Sequence, residues 1–292
     1  MKLTITGFST ALFSTWYFIE ELGILFDVGD GVSAGLLQKS RKVKHAFISH
    51  SDRDHISGLI QFNLLNAREG FPIIHYPKSS NALAKISKFT GELDFWVSGT
   101  KWNPISENQR IFLKDNLMVE TIKNGHIAVE EGITKSLSFN VFEVKRKLKE
   151  EFKGLSGLEI KKLIDEHGKD HTTYEVKTPL IAYSGDTPVE DWDRWKNSNI
   201  LIHEATFLNL EGEEIPDKNK NKHSKLEEVI EMVAHSNVKH LILGHFSTRY
   251  AKEQIDMEVE RLKKKYNLEI PIYIVYPGEA KKMIIETEIN KI

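Results

Sequence analysis

Short apolar segments rich in β-branched residues recur along the chain, and each has the length of a buried strand. They are ILFDV (24–28), HAFIS (45–49), IIHY (73–76), LIAYS (180–184), ILIH (200–203), HLILG (240–244) and IYIVY (272–276). Continuous apolar runs of this length are typical of strands that are buried on both faces of a sheet. The pattern therefore predicts a β-sheet core that is covered by other elements.

Helical periodicity appears between the later strands. SKLEEVIEMVAHS (224–236) places its apolar residues on one face, and Ser224 with Glu227 is typical of a capping box. AKEQIDMEVERLKKKY (251–266) is amphipathic, and its basic last turns favour a helix C-terminus. Strands interleaved with helices, without a repeat or a Pro/Gly-rich linker, predict a single α/β domain over residues 1–292.

The segment 144–170 differs from the rest because it is highly charged and carries no strand pattern. We expect it to be a short helical insertion on the domain. Its basic residues are Lys145, Arg146, Lys147, Lys149, Lys153, Lys161 and Lys162. Phosphate contact is one use for such a patch. A solvated helix face is the alternative, because the positive charge of the segment is partly balanced by Glu143, Glu150, Glu151 and Glu159.

Composition narrows the chemistry that is available to this chain. The formal net charge is −2 and the isoelectric point about 6.7, so the overall charge predicts no polyanionic partner. No cysteine is present, so a metal would have to be held by His, Asp and Glu. The N-terminus lacks the pattern of a secretory signal and no run is long enough to span a bilayer, so we expect a cytoplasmic protein.

The stretch FISHSDRDHISGL (47–59) crowds four metal-competent groups directly after a predicted strand: His50, Asp52, Asp54 and His55. His50 and Asp52 are two positions apart and so point to the same side of an extended chain. A helix is expected to begin near Ser57. Without a cation these groups would repel one another or stay unsatisfied. A solvated loop with a capping aspartate is the simpler alternative.

Further polar residues follow other predicted strands. His126 comes after MVETIKNG, Asp186 after LIAYSG and His245 after HLILG, while His203 ends ILIH. A single histidine is more often structural than a ligand. Because strand ends converge in α/β proteins, however, the set together predicts a metal site.

These motifs resemble the metallo-β-lactamase superfamily, whose metal motif reads His-x-His-x-Asp-His. Within it, HEATF (203–207), HSKLEEV (223–229) and HFSTRY (245–250) resemble the tRNase Z family, the endonucleases that trim the 3′ end of precursor tRNA. GFSTALFSTW (7–16) and FEVKRKLKEEFKGLSG (142–157) resemble its short-arm bacterial branch. The resemblance runs nearly end to end.

The resemblance implies a four-layer αβ/βα sandwich with 144–170 in the place of the family's arm, which grips tRNA. It implies two divalent cations, with Asp27 as a structural aspartate; these would be zinc, or manganese or iron given the oxygen donor of Asp52. One cation would be held by His50, Asp52 and His126, and the other by Asp54, His55 and His245. Asp186 would bridge them. It also implies precursor tRNA as the substrate and a homodimer.

The same resemblance suggests roles in catalysis. Asp54 would orient or deprotonate the attacking water, and His223, held by Glu204, would protonate the leaving oxygen. Ser247, Thr248 and Arg249 would bind phosphate oxygens. Each residue also has a simpler interpretation. His223 would only begin a helix, Glu204 would belong to a structural ion pair, and Arg249 would pair with an acidic residue of the fold.

Asp52 departs from the family pattern, which has histidine at this position. It either still ligates and moves the preference from zinc towards manganese or iron, or binds through water, or marks a degraded site. The other site residues are all present, so we favour retained ligation. A phosphodiesterase of small or cyclic nucleotides and a non-catalytic RNA- or protein-binding relative remain alternative functions.

Overall fold

Two β-sheets packed face to face form the centre of the computed structural model, which describes residues 2–93, 99–114, 116–208, 210, 213 and 222–288. Within that part of the chain each sheet has seven strands, in the orders β14-β1-β2-β3-β4-β5-β6 and β13-β12-β11-β10-β9-β8-β7. The first sheet contains β1 (Lys2–Thr10), β2 (Ser14–Ile19), β3 (Ile24–Phe26), β4 (His45–Phe47), β5 (Ile73–Pro77), β6 (Lys101–Ile105) and β14 (Lys281–Glu288). The second contains β7 (Arg110–Phe112), β8 (Leu117–Lys123), β9 (Leu137–Leu148), β10 (Thr173–Tyr183), β11 (Ile200–Glu204), β12 (His240–Gly244) and β13 (Ile272–Ile274).

α-Helices follow or connect many of the strands. They are α1 (Val32–Leu36), α2 (Arg53–Ile56), α3 (Leu59–Asn66), α4 (Asn81–Leu93), α5 (Gly157–His167), α6 (Lys169–Thr172), α7 (Leu226–His235) and α8 (Lys252–Lys265). Apolar residues of α1, α3 and α4 pack on the first sheet, and those of α7 and α8 pack on the second. The layers are helix, sheet, sheet, helix, which confirms the predicted sandwich. None of the described helices is both long and apolar enough to cross a membrane.

Strand direction decides where a site can form. Strands β3 to β6 run parallel to one another, and so do β10 to β13. Between the sheets lies an apolar core in which Phe26 stacks on Tyr183 of the opposite sheet, with ring centroids 4.8 Å apart. Loops that follow the parallel strands therefore meet at one edge of the sandwich, as the sequence pattern predicts.

The predicted apolar segments all contain strands, but some bounds differ. LIAYS is the end of a longer strand, β10, which starts at Thr173. The predicted capping box of α7 is wrong: Ser224 donates its hydroxyl proton to the carbonyl of Thr187 instead. The Glu228 carboxylate accepts from the Lys225 N–H at 3.3 Å, one residue further along the chain. Ser224 is fully buried, so it serves packing between loops rather than the helix end.

The prediction that 144–170 is helical is wrong for its first residues. Residues 144–148 continue β9 and pair with 173–177 of β10. A short 3-10 helix follows at Glu150–Phe152, and α-helix follows at α5 and α6. Ser156 and Glu159 form a capping box at the start of α5. Because this hairpin projects beyond the sheet, it has no apolar face, and so the sequence shows no strand periodicity there.

Gly58 packs the segment that carries the metal motif against the loop that follows β3. The helix that was expected to begin near Ser57 begins at Arg53 instead, as α2, and α3 follows after Gly58. The Gly58 N–H donates to the Val28 carbonyl at 2.9 Å. A Cβ atom at position 58 would lie 2.2 Å from the Gly29 carbonyl oxygen, so no side chain fits without backbone movement.

We expect Gly58→Ala to lower the free energy of unfolding by about 1–3 kcal/mol, because backbone must shift to relieve the contact. Gly91→Ala in α4 is the matched control, since a Cβ there meets no atom within 4 Å. That control should be neutral or gain up to about 1 kcal/mol. Urea denaturation of both variants measures the difference, and equal stabilities would contradict the packing argument.

Candidate metal centre

The predicted metal-binding residues meet at the carboxyl edge of the two sheets. His50 follows β4, Asp54 and His55 lie in α2, Asp186 follows β10 and His245 follows β12. His245 adopts a left-handed backbone conformation, with φ 59°, which a non-glycine residue rarely does. Such conformations persist where surrounding contacts enforce them, and they are frequent at functional sites.

One group of four donors lies deepest in this edge: Asp54, His55, Asp186 and His245 are all buried. Asp186 Oδ2 is 3.2 Å from His55 Nε2 and 3.3 Å from His245 Nε2. His245 Nε2 is also 3.2 Å from Asp54 Oδ2. Two ligands of one tetrahedral zinc, each at about 2.0–2.2 Å, are roughly 3.3–3.5 Å apart. The spacing of this group therefore suits a single cation.

A second group contains His50, Asp52 and His126. Asp52 Oδ2 lies 3.4 Å from His126 Nε2 and 3.7 Å from His50 Nε2. His50 Nε2 is also 3.7 Å from Asp186 Oδ2, so Asp186 adjoins both groups. The Asp52 side chain is 56% exposed whereas that of His50 is fully buried, so this group faces solvent on the Asp52 side.

Hydrogen bonds orient the imidazole rings. His55 Nδ1 donates to Asp27 Oδ2 at 2.7 Å. His50 Nδ1 contacts Ser49 Oγ and His245 Nδ1 contacts Thr206 Oγ1, each at 2.9 Å. Both hydroxyls also donate to carboxylates, so the histidine nitrogens are the donors. Each ring therefore points its Nε2 atom into the site, which is the arrangement of a metal-ligating histidine.

The buried Nε2 atoms of His50 and His55 have no hydrogen-bond partner in the part of the chain that the structure describes. Unsatisfied buried polar atoms are rare in folded proteins and need an explanation. In His55 and His245 the Nε2 lone pair lies close to a carboxylate oxygen, which is repulsive unless a proton or cation lies between them. The residues present thus fit divalent cations with nitrogen and oxygen ligands.

Charge within the cluster shifts several pKa values. Burial opposes ionisation of Asp186, but His245 and His55 hold the pKa of its carboxyl well below the usual range. Burial also opposes ionisation of Asp54, but the neighbouring His245 and His55 rings lower the pKa of its carboxyl. Burial and the neighbouring His55 lower the pKa of His50. Both carboxylates are thus ionised and His50 is neutral at pH 7, the forms that bind metal.

Beside the cluster, His223 forms an ion pair with Glu204. His223 Nδ1 lies 3.1 Å from Glu204 Oε1, and its ring stacks on His245 at 5.3 Å. Burial opposes a charge on His223, but the Glu204 carboxylate outweighs burial and raises the pKa to about 9. Glu204 also accepts from the Thr187 N–H at 2.8 Å and from Thr206. It therefore has both of the roles that the sequence left open, ion-pair partner and positioning group.

Arg249 pairs with an acidic residue, as the alternative interpretation of the sequence allowed. Its guanidinium lies 3.4 Å from Glu213 Oε1 and 5.5 Å from the centre of the Phe207 ring, and its side chain is half exposed. Ser247 accepts from the Arg249 Nε–H at 3.2 Å. Among the described residues, no hydrogen bond joins the Thr248 side chain to the predicted metal-binding residues.

The basic residues proposed for RNA contact lie on the β9–β10 extension and the turn after it. Lys145 pairs with Glu143 at 2.8 Å, Arg146 with Asp170 and Lys153 with Glu150. Lys147 and Lys149 form no ion pair with any described carboxylate. His203 belongs to none of the metal-competent groups, because its Nδ1 donates to the Glu204 carbonyl and its ring packs edge-on against Trp195.

The sequence did not reveal the residues that hold the ligands. Tyr183 donates to Asp27, Thr206 accepts from His245, and the Leu12 N–H donates to Asp54 at 3.0 Å. Thr206 lies inside the HEATF motif and Tyr183 inside the predicted strand LIAYS, and this is the one signal that pointed near them. The contact of Leu12 depends on a turn that packs 42 residues away in sequence, so no local pattern predicts it.

Comparison with solved structures identifies the class of protein. The metallo-β-lactamase-fold protein YhfI of Bacillus subtilis superposes with a TM-score of 0.64 at 15% identity, covering 98% of this chain and 100% of that one. The short form of human tRNase Z superposes with a TM-score of 0.58 at 20% identity, over 86% and 94% of the chains. Similarity at this level shows the fold alone, and the fold is that of a metallo-β-lactamase.

Sequence comparison then gives the family. No family model matches the chain. Ribonuclease Z of Pyrococcus horikoshii is 30% identical over 250 residues, which cover 78% of either chain. The chloroplastic tRNase Z of Arabidopsis thaliana is 27% identical over 279 residues, covering 91% of this chain and 73% of the relative. The chain belongs to the ribonuclease Z family.

In the metal-free protein, His223 should make stability fall with rising pH. Its pKa is about 9 in the folded state and ordinarily about 6.5. The folded state therefore holds more protons in this window, and the stabilisation is full below pH 6.5 and lost as pH rises through 9. We expect His223→Gln to remove a pH-dependent difference of about 2–3 kcal/mol. Denaturation at several pH values, with exposed His235→Gln as the control, measures it; parallel curves for wild type and His223→Gln would contradict the ion pair.

Proposed function

We propose that the protein is a metal-dependent endoribonuclease that removes the 3′ trailer of precursor tRNA. One observation carries this proposal: two metal-competent groups adjoin at Asp186, and the His223–Glu204 pair lies directly beside them. Membership of the ribonuclease Z family supports the same reaction.

Two divalent cations would occupy the two groups of donors. We propose His50, Asp52 and His126 for the first, Asp54, His55 and His245 for the second, and Asp186 between them. When bound, such cations supply a water nucleophile at neutral pH and neutralise charge on the phosphoryl oxygens. Nitrogen and oxygen donors without thiolate suit zinc, manganese or iron.

The chain's own residues would then move two protons. Asp54, held by the Leu12 N–H at 3.0 Å and facing His245, is placed to accept a proton from the attacking water. As the bond between phosphorus and the 3′ oxygen breaks, that oxygen needs a proton. His223 carries one at neutral pH, because the Glu204 carboxylate raises its pKa to about 9. Glu204 thus keeps the acid protonated and oriented.

The central experiment compares two substrates of one enzyme. With a 3′-extended precursor tRNA, His223→Gln should lower kcat about 10²–10⁴-fold, the usual contribution of a general acid. With bis(p-nitrophenyl) phosphate the leaving group departs as a stable anion, so the loss should be much smaller. His235→Gln, an exposed histidine of α7, should leave both rates unchanged. Equal losses on the two substrates would show that His223 does not protonate the leaving oxygen.

The same assay distinguishes the other functions. Turnover of small or cyclic nucleotides without trailer removal would favour the phosphodiesterase. Metal-reconstituted protein that binds RNA and cleaves neither substrate would favour the non-catalytic relative. The retained donor geometry and the protonated His223 argue against that last outcome.

Asp52 is proposed as a ligand that replaces the family's histidine. Its Oδ2 atom lies 3.4 Å from His126 Nε2, close to the separation of two ligands on one cation. The hydrogen bond from His126 lowers the pKa of the Asp52 carboxyl, so it is ionised at neutral pH. An anionic oxygen is the harder donor, and we infer a preference that moves towards manganese or iron.

Substitution tests this role. Asp52→Ala should lower metal occupancy and activity together, because one cation loses an anionic donor. Asp52→His should keep activity and move the preference towards zinc. Because an anionic ligand reduces the positive charge at the metals, Asp52→His should also shift the basic onset of activity to lower pH. Metal analysis and pH–rate profiles measure these effects, with exposed Asp193→Ala as control; an Asp52→Ala variant equal to wild type would make Asp52 a bystander. A wild type that is inert with zinc, manganese, iron and cobalt beside an active Asp52→His would instead indicate a degraded site.

We propose further that residues 144–170 form an RNA-binding arm on one domain that spans the chain. Deleting the segment would remove the strand partner of residues 173–177, so charge substitution is the cleaner test. Lys147 and Lys149 are the best candidates, because no described carboxylate neutralises them. The proposed homodimer rests on the resemblance, and sedimentation velocity would test it. The cytoplasmic location stays an expectation from the sequence.

Replacing both Lys147 and Lys149 with glutamine should lower kcat/KM for precursor tRNA about three- to thirty-fold at low salt and flatten its salt dependence. Turnover of bis(p-nitrophenyl) phosphate should not change, because the arm lies outside the reacting centre. Lys264→Gln at the end of α8 serves as the control for lost positive charge. If precursor tRNA is cleaved as well as before, the arm does not bind RNA through these lysines.

A further inference from the structure

Three polar residues on the inward face of the first sheet are joined by hydrogen bonds. His45, His75 and Asn103 come from the neighbouring strands β4, β5 and β6. Phe47, on the same face of β4, belongs to the apolar core between the sheets. His45 lies five residues before His50, and His75 and Asn103 are in register with Phe47, so the trio lies roughly 10–16 Å along the strand from His50. It therefore needs an explanation separate from catalysis.

The three side chains form a directed chain of hydrogen bonds. Asn103 Nδ2 lies 2.9 Å from His75 Nδ1, and His75 Nε2 lies 3.1 Å from His45 Nδ1. An amide nitrogen only donates, so His75 accepts at Nδ1 and donates from Nε2. Burial lowers the pKa of His45 to about 4 and that of His75 to about 3, so both rings are neutral. His45 accepts at Nδ1, and its proton is on Nε2.

The His45 ring forms part of the wall of two adjoining cavities between the sheets, of about 680 and 440 Å³. The two cavities share His45, Ile73, Phe112 and Leu113 as walls. Sites for small molecules usually measure about 300–1,000 Å³ and combine apolar walls with a few placed polar groups. A neutral histidine in the wall of a cavity of this size, which also has apolar and charged residues in its wall, is such an arrangement.

The larger cavity also has an excess of positive charge. Lys44, Arg68 and Lys114 line it, and none forms an ion pair with a described carboxylate. Of its acidic residues, Glu143 is neutralised by Lys145 at 2.8 Å, which leaves Glu21. Glu21 accepts hydrogen bonds from Thr4 and so is turned towards β1. The cavity therefore favours an anion.

We propose that this cavity binds a nucleoside monophosphate. The base would lie against Ile73 and Leu113 and accept a hydrogen bond from His45 Nε2. The phosphate would meet Lys44 and Arg68, because a dianion needs more than one cation. The site is separate from the metal centre, and the inference does not depend on the proposed nuclease activity.

Titration of the metal-loaded protein with AMP, GMP, CMP and UMP tests the proposal. Histidine labelled with ¹⁵N should show the His45 proton on Nε2, and nucleotide should shift this resonance. Inorganic phosphate and the bare nucleosides should bind at least about ten-fold more weakly, because each lacks one half of the ligand. A His45 proton on Nδ1, or no binding of any nucleotide at millimolar concentration, would overturn the assignment.

Two variants locate the binding. Exposed Lys44→Gln should weaken nucleotide binding about three- to ten-fold without affecting folding. Lys42→Gln is its matched control, because Lys42 is exposed, pairs with Glu20 and does not line the cavity. His45→Phe should weaken binding further if it folds. Binding that neither Lys44→Gln nor His45→Phe alters lies elsewhere, for instance at the metals, and would refute the proposed site.

Discussion

A single buried carboxylate, Asp27, ties the two sheets together behind the metal centre. It follows β3 of the first sheet, accepts from Ser49 and His55, and accepts the hydroxyl proton of Tyr183 from β10 of the second sheet. Burying a charge costs several kcal/mol unless it is hydrogen-bonded, and here the donors come from the loop after β4, from α2 and from β10. The carboxylate therefore fixes the separation of the sheets and the orientation of His55 at once.

On the other side of the site, the Glu204 carboxylate likewise holds two histidines, one directly and one through Thr206. One oxygen contacts His223 at 3.1 Å, and the other accepts from Thr206, which in turn orients His245. The protonation of the proposed acid and the direction of a proposed ligand are thus set by one carboxylate. Loss of Glu204 would disturb both, so substitution of His223 is the more selective probe of proton transfer.

Sequence reasoning went furthest where a pattern is local. Apolar runs predicted the strands, and placement after strand ends predicted that His50, Asp186 and His245 converge. It failed for residues 144–148, because a hairpin that projects into solvent has no apolar face. It also missed Leu12 and Thr206, whose contacts form only once distant loops pack. The His45–His75 pair gave no signal, because a histidine inside an apolar run resembles any core residue.

The metal motif departs from its family at Asp52, and this is the position of the motif where a carboxylate in place of histidine costs the least free energy. Asp52 is 56% exposed, so water solvates its charge when no metal is bound. His50 and His55 are fully buried near Asp27 and Asp186, and a carboxylate there would add an unpaired negative charge to a dry site. Solvent exposure, rather than ligand chemistry alone, thus explains why aspartate is tolerated at position 52. Because the Asp52 side chain is exposed, a substitution there leaves the buried His50 and His55 in place, so the proposed change in metal preference needs no rearrangement of the core.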